Sequence, residues 1–149
     1  MTPDQGATLL ADVYLVLGPI YRRVLREVEQ DRANSGVTAG ERAVLDMLRR
    51  RGPMTVPQMA REQDLSRQFV QRMVNSAAAA GHLETVENPA HRRSSLIRLT
   101  ERGRAAIEAV VAREHARLAV AAEGLRRDEV EACLKVLGQM LDALAPADE

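Results

Sequence analysis

Residues 66–103 carry an apolar stripe at helical spacing and, directly after it, two short strand-like pieces. Phe69, Val70, Met73, Val74 and Ala77 recur every three or four positions, which predicts one buried helix face. Ser66 precedes them as an N-cap residue, and an alanine run carries the helix toward Gly81. The other face holds Arg67, Gln68, Gln71, Arg72 and Asn75. The pieces Leu83–Glu87 and Leu96–Thr100 then flank a polar loop containing Arg92 and Arg93. A polar-faced helix followed by an arginine-tipped hairpin suits double-stranded DNA, the helix in the major groove and the hairpin on the adjacent backbone or minor groove. Arginine pairs with guanine O6/N7, and glutamine or asparagine with adenine N6/N7. An ordinary amphipathic helix with a solvated face is the plainer alternative. Against it, this outer face has basic and amide residues and no carboxylate.

Charge distribution points the same way. Lys+Arg and Asp+Glu are both 21, so net charge is silent about partners. Between Arg49 and Arg104, however, eleven arginines face five acids, and the flanks are correspondingly acidic. That asymmetry is expected when the middle of a chain meets nucleic acid. The aromatic residues are Tyr14, Tyr21 and Phe69, too few to stack the bases of single strands. A single cysteine allows no internal disulfide and fits a reducing cytoplasm. No apolar run nears the ~20 residues of a membrane span, and the N-terminus lacks a signal pattern.

The 149-residue length suits one compact domain over 1–149, or a domain plus an oligomerisation element. Residues 7–33 read as a long amphipathic helix, with Gly18-Pro19 predicting a kink or two abutting helices. Asn34-Ser35-Gly36 ends that segment. Thr38 and Glu41 form a capping box for a helix with Ala43, Val44, Met47 and Leu48 inward, ending at Arg51-Gly52. Thr55 opens a short helix with Val56, Met59 and Ala60 inward, and Gln63-Asp64-Leu65 turns into the helix at 66–80. Helix, short helix, turn, helix, hairpin is the winged helix-turn-helix order. Thr100 can cap the next helix, whose apolar positions are Ala105, Ile107, Val110, Val111, Leu118 and Val120. After Gly124, Asp128 and Glu131 offer another capping signal, and Val130, Leu134, Leu137, Met140, Leu141 and Leu144 form a last stripe closed by Pro146. Terminal helices this apolar cannot all be covered by a lobe of about sixty residues, so pairing with a second chain is expected. Two copies then present two recognition helices about one DNA turn apart, and the site is a pseudo-palindrome.

Three segments carry a family resemblance: Gly81-His82-Leu83-Glu84, Asn88-Pro89-Ala90-His91-Arg92-Arg93-Ser94 and Leu99-Thr100-Glu101-Arg102-Gly103. They resemble the Gly-Leu-Val-Glu turn, the Asp-Pro-x-Asp-Arg-Arg wing tip and the Leu-Thr-x-x-Gly junction of the multiple-antibiotic-resistance regulator (MarR) family. Asn88 and His91 stand where that family has aspartates, and Thr85 where arginine is common. The resemblance implies a mainly α fold with a small β-hairpin wing. In it, 38–104 is the DNA-binding lobe, 66–80 the recognition helix and 83–100 the wing, with dimerisation helices at 7–33 and 105–145. It further implies a homodimeric repressor released by a small-molecule effector, bound near Tyr14, Leu17, Tyr21 and Met47.

The DNA-contacting set is therefore Ser66, Arg67, Gln68, Gln71, Arg72, Asn75, Arg92 and Arg93. Arg49-Arg50-Arg51 reads instead as a cluster that complements a helix C-terminus. Cys133, on an apolar stripe with nothing basic to lower its pKa, reads as a buried or half-buried structural thiol. His82, His91 and His115 are too scattered for metal-ligand spacing, so no metal and no cofactor are expected. There is no Gly-x-Ser-x-Gly, Walker loop or Gly-x-Gly-x-x-Gly, and no nucleophile–base pair, so an enzyme is not expected. A winged helix can also serve purely as a protein-interaction module, but its recognition face should then be apolar.

Overall fold

A computed structural model describes residues 1–145; Pro146, expected to close the last helix, lies outside them. Among the described residues the chain is mostly helical with one antiparallel hairpin. The order is α1 (Pro3–Gln30), α2 (Arg32–Ser35), α3 (Ala39–Arg51), α4 (Val56–Gln63), α5 (Arg67–Ala79), β1 (Leu83–Val86), β2 (Leu96–Leu99), α6 (Glu101–Ala121) and α7 (Arg127–Ala143). Residues Met1–Ala112 form one compact unit and the described residues from Arg113 a second.

In the first unit, side-chain hydroxyls set where the helices start. The Thr38 hydroxyl accepts the Glu41 N–H at 3.1 Å, and Glu41 returns a carboxylate oxygen to the Thr38 N–H at 3.4 Å. Thr55 and Gln58 repeat the device on α4. The Ser66 hydroxyl accepts the Phe69 N–H at 3.0 Å at the start of α5. Each such cap is worth about 1 kcal/mol. Between α4 and α5 the turn passes through Asp64 at φ 50°, a left-handed conformation that a short polar side chain tolerates.

The core fills the space between these helices and the hairpin. Val44, Leu45, Met47 and Leu48 of α3, Met59 of α4, Val70, Val74 and Ala77 of α5, and Ile107 and Val110 of α6 are buried in one cluster. Leu45 thus joins the α3 stripe that periodicity alone drew without it. Ala105 is exposed and Ala106 packs on the core instead, a rotation of one position on a face that small residues leave ambiguous. Pairing across the hairpin sets Leu83 opposite Leu99 and Glu84 opposite Arg98. On its other edge, β2 is held by Met54, whose N–H and C=O both bond to Ile97. Gly103 explains the junction motif around it: a Cβ there would overlap the His82 carbonyl, so only glycine lets α6 approach this close. Thr100 secures the same corner, donating its hydroxyl to the Gly81 carbonyl at 2.6 Å and accepting the Gly103 N–H at 3.0 Å.

Two expectations about the terminal helices change. Gly18-Pro19 does not divide the N-terminal helix, because α1 runs as one element from Pro3 with Pro19 inside it. A proline costs one backbone bond, and the many others of a 28-residue helix carry it through. Its true start is a capping box at Thr2 and Gln5. At the other end, Asp128 is not the cap of α7. Arg126 holds that position, its backbone N–H bonded to Glu129 at 2.9 Å, while Asp128 takes the Arg126 guanidinium. Met140 is the buried residue of α7. Leu134 and Leu141 are 64% and 71% exposed, and Leu9, Leu15, Val16, Ile20 and Tyr21 of α1 are also open. Cys133 is likewise exposed rather than buried, since it lies on the open part of the α7 surface, beside Leu134.

Candidate nucleic-acid interface

Helix α5 turns Val70, Val74 and Ala77 to the core, and Arg67, Gln68, Gln71, Arg72 and Asn75 all stand exposed on the opposite side. The Gln71 side-chain amide donates to the Asn75 side-chain oxygen Oδ1 at 2.9 Å. That bond holds the two side chains together, leaving the Gln71 oxygen and the Asn75 amide group free to face a base edge. Arg72 lies over the Phe69 ring, 5.7 Å from its centre, which limits its swing without neutralising it.

The hairpin brings a second set of groups alongside. Between the start of α4, the face of α5 and the hairpin lies a groove of about 630 Å³ whose lining includes Arg67, Gln68, Gln71 and Arg93. Thr55, Thr85, Ser94 and Ser95 line it too, residues that the sequence alone marks only as caps, strand or loop. The polar residues next to Arg93 in the loop were the available signal. Ser66, Arg72, Asn75 and Arg92 are exposed outside that lining. The loop has its own brace: the Asn88 side-chain oxygen accepts the Ala90 N–H at 3.1 Å, a local turn that asparagine makes as well as aspartate.

Several arginines of the central region are held by carboxylates. Arg49 and Arg50 pair with Asp46, Arg51 with Glu62, Arg98 with Glu84 and Arg104 with Glu108. The triple arginine thus completes the end of α3. Among the described residues, Arg67, Arg72, Arg92 and Arg93 of α5 and the hairpin loop have no carboxylate partner, as is also true of Arg61 on α4 and Arg102 on α6. A guanidinium without an internal partner keeps its five donors for a phosphate or a base.

Behind α5 the polar groups are buried. Glu41 is 2% exposed and accepts the Ser76 hydroxyl of α5. His82 is 3% exposed, its Nδ1 without a partner. Burial lowers the pKa of His82, with Glu41 opposing and Arg102 adding to the shift. His91 and His115 stand exposed, and no group of three or more His, Cys, Asp or Glu among the described residues could hold a metal ion.

A separate cavity of about 600 Å³ lies between α1, α3 and the start of α5. Leu17 and Tyr21 line it with Phe69, Leu65, Gln63 and Arg42. Tyr14 is exposed outside the lining, and Met47, at 0% exposure, is sealed in the core as a packing residue.

A sequence profile of the MarR family matches residues 35–94. The uncharacterised protein Rv2011c of Mycobacterium tuberculosis is 37% identical over 110 residues, 74% of this chain and 73% of its own. The crystal structure of the MarR family transcription regulator SP03579 is 32% identical, with a TM-score of 0.79 over 97% of this chain and 98% of that one. BpsR of Bordetella bronchiseptica, whose DNA binding is regulated by 6-hydroxynicotinic acid, is 26% identical, with a TM-score of 0.69 over 87% of this chain and 98% of its own.

Proposed function

The chain belongs to the MarR family of transcription regulators, and we propose that it works as a cytoplasmic homodimeric repressor gripping pseudo-palindromic double-stranded DNA. In this reading α5 lies in the major groove, where Gln68, Gln71, Arg72 and Asn75 meet base edges. Ser66 and Arg67 meet phosphate at the start of the helix, and Arg92 and Arg93 reach the flanking backbone or minor groove. The observation that carries this is that, among the described residues, the four arginines gathered on α5 and the hairpin loop, beside the exposed amides of α5, lack carboxylate partners, while those at the end of α3 have them. Dimerisation through α1, α6 and α7 is supported by the exposed leucines of the terminal helices, an apolar surface that a monomer rarely leaves open. Among the described residues no helix is long and apolar enough to cross a membrane.

Release by a small molecule completes the proposal. The cavity beside Leu17 and Tyr21 has a size suited to a small organic ligand, with a largely apolar lining. The likeness to BpsR favours an aromatic acid as effector. Such a ligand releases DNA only by binding the non-binding arrangement more tightly than the binding one. Selection of binding sites from a random-sequence duplex pool by the purified protein tests the reading. A pseudo-palindromic consensus with affinity falling steeply in salt is expected. A folded protein that enriches no sequence would leave a protein-interaction module as the better description.

A further inference from the structure

The first turn of α3 is where several parts of the DNA-binding lobe are tied together. Glu29, near the end of α1, accepts the Ala39 N–H at 3.0 Å. Gly40 lies against the recognition helix so closely that a Cβ on it would press on the Met73 sulphur. One residue on, the Glu41 carboxylate is shared between the Thr38 backbone N–H and the Ser76 hydroxyl. Met73 and Ser76 are three apart on α5, so both contacts fall on one side of that helix. They sit beside the base-facing residues in sequence, with Arg72 directly before Met73 and Asn75 directly before Ser76.

We propose that Glu41 is a positioning residue for DNA readout, its carboxylate fixing the roll of α5 through the Ser76 hydroxyl. The proposal rests on the DNA-binding reading above. Hydrophobic contact alone sets how deep α5 sits, but Val70, Val74 and Ala77 tolerate a small rotation because apolar packing is not directional. A hydrogen bond to a buried carboxylate is both directional and strong. A rotation of α5 would carry Gln71 and Asn75 across the base edges while leaving the arginines within reach of phosphate. Glu41 therefore governs which sequence is bound more than whether DNA is bound.

The test uses the full-length protein, the consensus duplex that it selects from a random pool, and a random-sequence duplex of equal length. Ser76→Ala removes the hydroxyl from an exposed position and leaves the core untouched. It should weaken consensus binding about tenfold, the loss expected of one hydrogen bond to a charged group. Affinity for the random duplex and the salt slope should stay as in the parent, because every phosphate-binding side chain is retained. Ser76→Thr keeps the hydroxyl and should restore consensus binding, and Glu41→Gln, which keeps one acceptor, should fall between. Equal consensus affinity in parent, Ser76→Ala and Ser76→Thr would overturn the positioning role alone. So would equal losses on both duplexes, which a loosened fold would produce. A parent protein that selects no consensus would overturn DNA binding itself, and this inference with it.

Discussion

At the scale of single residues, the corner between β2 and α6 has the least freedom. Gly103 faces the His82 carbonyl with no room for a methyl group, and backbone rather than a flexible side chain stands in the way. Gly103→Ala should cost about 2 kcal/mol or more, as overpacking against a fixed neighbour does, read as a lower denaturation midpoint in urea. His82 adds a dependence on pH. Burial holds its imidazole below the ordinary value, helped by Arg102 and opposed by Glu41, so the folded chain resists a proton that the unfolded chain accepts near pH ~6.5. The neutral-form advantage is therefore present above that value and is lost as pH falls below it. Urea midpoints taken on either side of about pH 6.5 should drop on the acid side. In His82→Asn that drop should shrink; an unchanged drop would assign it to other groups.

At the scale of elements, the hairpin is the clearest case of one part doing one job. Its strands are held by pairing, by the Glu84–Arg98 ion pair at 2.6 Å and by the Met54 bridge, so its loop arginines can be removed without disturbing the frame. Replacing both Arg92 and Arg93 by alanine should weaken binding on all sequences alike and lower the salt slope by about one for each phosphate no longer neutralised. A salt slope equal to the parent's would place both side chains away from phosphate. Asn88→Ala removes the brace of that loop and should cost about 1 kcal/mol or less, with a milder loss of affinity. The helix starts at Thr38, Thr55 and Ser66 were legible because a cap and its partner lie three residues apart. The α5 stripe was legible because its period is local. The Met54–Ile97 bridge and the Glu41–Ser76 bond were not, since they join residues more than thirty positions apart. Of the two readings of Gly18-Pro19, a division into two helices is set aside because α1 continues through Pro19.

For the whole molecule, the terminal helices carry apolar surface whose use the single chain does not supply. Leu134 and Leu141 lie seven apart on α7, close to two full turns, and therefore on one face. Burying a leucine is worth roughly 1.5–3 kcal/mol, and in a two-fold interface each position counts once for each copy. In the proposed dimer, replacing both by glutamate would place like charges together in that interface and should leave only monomer in sedimentation velocity. Far-UV circular dichroism should stay largely unchanged, because neither side chain belongs to the buried core. Affinity for a two-half-site duplex should then fall by roughly 10²–10⁴, since one lobe no longer holds the other near its half-site. Binding to a single half-site should be little altered, because Arg67, Arg92 and Arg93 are all retained. A variant that stays dimeric would move the interface off this face of α7. A monomer that still binds the paired site at full strength would mean that the two lobes never acted together.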